Sequence, residues 1–151
     1  MGVVMNVAQA TEVFYPWVLA LAAGAAGYYF DLVPLGARLD AQLSATLTVS
    51  SILMGFLGTA KAIVLTTTSS RRKWLSSRPE VWHRVIGFFK SALFANLALS
   101  VFSLLLFFVD PTKIPTQVIP ALMPLWLALV TGAIFTFFRA VNILFLMVND
   151  S

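Results

Sequence analysis

The chain has 151 residues, of which 60% are hydrophobic, 13% aromatic and only 11% charged, with a formal net charge of +4. A soluble domain is about 45–50% apolar and about 25% charged, and a chain this short buries only about 70% of its unfolded surface. Those bounds disfavour a soluble enzyme, a disordered protein and a nucleic-acid-binding domain, and leave an integral membrane protein with little outside the bilayer.

Four apolar segments follow one another, each near the roughly 20 residues that a spanning helix needs. The first covers approximately 13–33, is uncharged from Val13 to Phe30, and has Glu12 at its start. Residues 1–12 contain no Lys or Arg, so a cleaved signal peptide is not expected. Residues 31–43, with Asp31, Pro34, Gly36, Arg38 and Asp40, read as a polar turn. The second segment, 44–68, is interrupted by Lys61. The connection 69–84 reads SSRRKWLSSRPEVWHR and holds Arg71, Arg72, Lys73, Arg78 and Arg84 against Glu80 alone. The third segment, 85–109, has Lys90 near its start and Asn96 inside it. After Asp110, Pro111, Lys113 and Pro115, the fourth segment covers 121–148, with Pro120 and Pro124 in its opening turns and Arg139 and Asn142 further on. The long unalternating apolar runs exclude a transmembrane barrel. No repeat, linker or second domain interrupts the chain.

Short basic connections stay cytoplasmic. The 69–84 connection therefore predicts cytoplasmic termini, with 31–43 and 110–120 on the far side. The expected fold is all-α: an integral membrane four-helix bundle, multi-pass in the cell inner membrane and oligomeric, with a tetramer as one guess.

Intramembrane polar groups are costly and need partners or a route to the interface. Lys61, Asn96 and Arg139 are expected at similar depth in the cytoplasmic half, with Asn142 about one turn nearer the cytoplasm and Glu12 capping the first helix. On one reading Lys61 and Arg139 snorkel to lipid phosphates and Asn96 bonds a neighbouring helix as packing glue; on the other this polar belt lines a water-filled vestibule, with Glu12 as a pairing partner. Small residues form a second pattern: Ala20, Ala23, Gly24 and Gly27; Ser51, Gly55 and Thr59; and Ala128, Gly132, Thr136 and Ala140. Such stripes let membrane helices approach closely, either within one bundle or between subunits. The third helix adds Ala92, Asn96 and Ser100 on one stripe. In the basic connection, Arg71, Arg72, Lys73, Trp74, Arg78, Trp82 and Arg84 suit lipid headgroups, each cation contributing about 1 kcal/mol near an anionic leaflet. They also suit a cytoplasmic effector protein.

No enzyme is expected. Cysteine is absent and His83 is the single histidine, so neither thiolate chemistry nor a multi-histidine metal site can form in one chain. No cofactor, metal or direct nucleic-acid contact is expected, and membrane lipids are the expected partners.

Pro16 and Trp17 early in the first helix, Ala45-Thr46-Leu47 opening the second, and the spacing from there to Arg71 and Arg72 carry a resemblance. The chain resembles the four-helix membrane subunit of the phage lambda Rex exclusion system and, more loosely, four-span membrane subunits of anti-phage defence systems such as Kiwa. That resemblance implies an antiviral-defence component that permeabilises the inner membrane as an oligomeric ion channel. The alternatives are a non-conducting sensor or anchor that recruits an effector through 71–84, and a phage holin.

Overall fold

The computed structural model describes residues 7–30, 39–66, 77–109 and 118–148. They form four helices: α1 (Val7–Tyr29), α2 (Leu39–Thr66), α3 (Pro79–Phe108) and α4 (Ile119–Val148). Three of these, α2, α3 and the Pro120–Leu146 stretch of α4, are long and apolar enough to cross a membrane. The shorter α1 mixes its apolar residues with Glu12, four tyrosine and tryptophan rings at 15, 17, 28 and 29, and two glycines.

Several helix ends differ from those expected. α1 starts at Val7 rather than 13, so Glu12 lies more than a turn inside it instead of capping it. α3 starts at Pro79 rather than 85, and the expected connection 69–84 therefore ends in helix. Proline is pre-organised for a helix's first position because its fixed φ is helical and its missing N–H would have no partner there. Arg78 precedes it with φ −121° and ψ 87°, and its carbonyl accepts the N–H groups of Val81 and Trp82, each at 3.1 Å. Glu80 in the first turn complements the helix dipole. Hydropathy marks where charge begins, whereas these local features mark where the helix begins.

α1 lies antiparallel on α4, α4 on α3, and α3 on α2, and a slimmer α2–α4 contact is parallel. α1 and α2, although consecutive, share no comparable interface. One core joins Leu57, Ala60 and Val64 of α2 to Val85, Phe89 and Ala92 of α3 and Ala140 of α4. A smaller one joins Ala95 and Leu99 to Ala133.

The exterior is apolar, unlike that of a soluble bundle, and several polar groups lie inside among the apolar core residues. No more than 28% of any of the three long apolar spans is buried inside the chain. Phe14, Leu21, Ile52, Phe94, Leu105 and Phe138 all face outward. Inside lie Ser50, Asn96, Ser103, Thr136 and Arg139. Hydrocarbon around the molecule gives apolar residues no reason to prefer the interior, and polar side chains there find partners on neighbouring helices.

Candidate functional site

Arg139 is heavily engaged. Only 7% of it is exposed. One guanidinium nitrogen donates to the main-chain carbonyls of Glu12 at 3.0 Å and Val13 at 3.1 Å, and the other donates to Ser91 Oγ at 2.7 Å. The guanidinium carbon sits 4.2 Å from the centre of the Phe88 ring, within cation–π range. One side chain thus ties α1, α3 and α4 together.

Pro16 explains why α1 has an acceptor to offer. A proline inside a helix has no N–H for the carbonyl four residues earlier, which here is Glu12. Pro16 is fully buried, and Arg139 supplies the donor that it cannot. The bond that forms uses Glu12's backbone carbonyl, not its carboxylate. The signal was a proline four residues after Glu12 in a helix that faces an intramembrane arginine.

Beside this junction is a cleft of about 360 Å³ whose walls include Glu12, Tyr15, Arg84, Phe88, Arg139 and Asn142. It brings together three of the five expected belt residues. Lys61 and Asn96 lie elsewhere. Lys61 shares a cleft of about 370 Å³ on the α2–α3 flank with Met54, Lys90, Leu93, Phe94 and Leu97. Asn96 is fully buried, and its amide nitrogen donates to the Ala92 carbonyl at 2.9 Å while its Oδ1 has no protein partner. It borders a third cleft, of about 190 Å³, with Thr46, Ser50, Leu99 and Ala133. Because α3 begins at Pro79, Asn96 is about 25 Å along the helix at about 1.5 Å per residue, deeper than the level of Ser91 and Arg139. The five residues therefore occupy three separate places.

The small-residue stripes divide in the same manner. A Cβ on Gly24 would stand 3.1 Å from both Ala128 Cβ and the Pro124 carbonyl oxygen, and one on Gly27 would stand 3.0 Å from Leu127 Cδ2. Gly132 faces Ala20 and Trp17 at 3.4 and 3.9 Å, and Thr136 is fully buried, donating to the Gly132 carbonyl at 2.7 Å. These residues build the α1–α4 contact. Gly55 and Gly58 on α2, in contrast, have nothing within 4 Å of where a Cβ would be.

That open face of α2 is longer than the three residues first noted. Ser44, Thr48, Ser51, Gly55, Thr59, Ala62 and Thr66 are all exposed and recur at three- and four-residue intervals, which keeps them on one side of a helix. Thr48 and Ser51 donate to the Ser44 and Leu47 carbonyls at 2.9 and 2.8 Å, and Thr59 and Thr66 donate to Phe56 and Ala62 at 2.8 and 2.9 Å. The hydroxyl protons of these four residues are thus satisfied within the helix.

Of the basic connection, Arg71, Arg72, Lys73 and Trp74 lie outside the described residues. Arg78 is exposed immediately before α3. Trp82 and Arg84 stand on α3's first turns, and Trp82 packs against the Leu57–Ala140 core instead of sitting free in a loop. The His83 ring nitrogen Nδ1 is 2.7 Å from the Pro79 carbonyl. No group of His, Cys, Asp or Glu able to hold a metal occurs among the described residues.

No family model matches the chain, and neither a curated protein nor a solved structure shows detectable similarity to it.

Proposed function

We propose that this chain is a membrane protein whose copies assemble around the outward face of α2, which lines a water-filled path for ions. The observation that carries this reading is the composition of that face: seven small or hydroxyl-bearing residues from Ser44 to Thr66, all exposed, on a helix long and apolar enough to cross a membrane. Many other outward positions bear bulky apolar side chains suited to lipid, among them Phe14, Leu21, Phe94, Leu105 and Phe138. Within one chain the interior is closed by Leu57, Phe89, Ala92 and Ala140, each no more than 2% exposed, so the path belongs between copies. The polar groups at Arg139 and Asn96 are then structural.

The setting, an inner-membrane component of phage exclusion, is supported by the resemblance carried by Pro16, Trp17 and the Ala45-Thr46-Leu47 start of α2. The absence of cysteine makes the test direct. Single Thr48→Cys, Ser51→Cys, Gly55→Cys and Thr59→Cys variants are reconstituted in liposomes and treated with a membrane-impermeant thiol reagent. Conductance should fall on modification at these positions and stay unchanged for Ile63→Cys, at the side of the stripe. A reconstituted wild type that never conducts, or equal labelling of Ile63→Cys and Ser51→Cys, overturns the proposal.

A further inference from the structure

The chain treats its intramembrane cations in two ways. Arg139 is turned inward and given protein acceptors. Lys61 and Lys90 are turned together into the outer groove between α2 and α3, where Met54, Leu93, Phe94 and Leu97 complete the lining and no carboxylate contributes among the described residues. The antiparallel packing of Ala60 and Leu57 against Phe89 and Ala92 brings the two lysines to one level. Lys90 Nζ lies 5.9 Å from the Phe94 ring centre, and Lys90 is exposed.

Two ammonium groups sharing an apolar groove repel each other, and a charge held at membrane depth is costly without a counter-charge. One phosphate between them relieves both costs. Basic pockets between membrane helices bind lipid head groups in this way. The apolar part of the groove specifies the rest of the ligand: Phe94 and Leu97 are 59% and 47% exposed and continue along α3 away from the lysines, as an acyl chain would.

We infer that the α2–α3 groove binds an anionic phospholipid, with Lys61 and Lys90 bridging its phosphate and an acyl chain lying along Leu93, Phe94 and Leu97. The site is on the opposite flank of α3 from the Arg139 junction and does not depend on the conducting role proposed for α2.

Native mass spectrometry of the full chain, titrated in neutral detergent with phosphatidylglycerol, tests this. The wild type should retain one lipid per protomer in preference to phosphatidylcholine. At about 1 kcal/mol per cation, each single Lys→Gln variant should bind about fivefold more weakly, and K61Q/K90Q about thirtyfold. K61R/K90R keeps both charges and should bind as the wild type does, which keeps the test decisive if the Gln variant fails to fold. R71Q/R72Q/K73Q should also retain the lipid. Unchanged binding by folded K61Q/K90Q, equal retention of phosphatidylcholine, loss of binding by K61R/K90R, or an equal loss in R71Q/R72Q/K73Q overturns the inference. So does competition by soluble glycerol phosphate at the lipid's own affinity, which would mark a site for the free anion.

Discussion

Pro16 and Arg139 are 123 positions apart in the chain and act on the same backbone oxygen. The proline removes the amide that the Glu12 carbonyl would accept, and the guanidinium replaces it while also holding Val13 and Ser91. Hydrogen bonds to a charged group are each worth about 1.5–3 kcal/mol, so Arg139→Met should destabilise the fold by about 3 kcal/mol, read as unfolding in detergent micelles. Pro16→Ala gives the Glu12 carbonyl an intrahelical donor and lessens its dependence on Arg139. The cost of Arg139→Met should therefore be smaller by about 1 kcal/mol in the Pro16→Ala background, a coupling typical of residues in one network. Strict additivity in that double-mutant cycle would separate the two residues. Arg139 stood out in the sequence because it interrupts an apolar run. Its partner did not, because a backbone carbonyl has no residue type and becomes available only through a proline on another helix.

Stripes of small residues on α1, α2 and α4 look alike as spacing, yet the helices use them differently. Gly24, Gly27 and Gly132 let α1 and α4 approach until backbone and Cβ atoms nearly touch, whereas Gly55 faces open space. A valine at position 24 would press on the Pro124 carbonyl and Ala128, neither of which can swing aside as a flexible side chain would. Gly24→Val should cost about 1–3 kcal/mol, as overpacking does. Gly55→Val should leave the stability of the isolated chain within about 0.5 kcal/mol, the usual range for a surface change. Denaturant titration in detergent measures both. A comparable loss at the two positions would mean that α2's open face is covered in the isolated chain. Periodicity established that each stripe occupies one side of a helix; which side meets a neighbour depends on tertiary packing, and here α1 chooses α4 over its sequence neighbour α2.

The whole molecule is organised around α4, which touches each of the other helices and holds the buried arginine. The four helices were legible from hydropathy, since runs of about 20 apolar residues in this composition have little alternative. Their ends were less so, because charge at 79–84 hid a helical start that Pro79 and Glu80 encode. α1 is the element whose membrane role composition leaves weakest, and packing argues it best. From Arg139 to Pro124, α4 is met in order by Glu12, Tyr15, Ala20, Gly24 and Gly27 of α1. These fifteen residues of helix rise about 22 Å at about 1.5 Å per residue, most of the roughly 30 Å hydrocarbon thickness. A helix that follows α4 over that distance crosses whatever α4 crosses. With α1 as a fourth crossing, both termini would share the side of the 69–84 connection, and its basic residues predict that this side is cytoplasmic. Protease or biotinylation access to tags at either terminus, and at position 113, should report the termini inside and 113 outside in intact spheroplasts. An exterior N-terminus with an interior C-terminus would mean that α1 lies along the membrane surface, and the α1–α4 contacts would then have to be absent from the membrane-inserted protein.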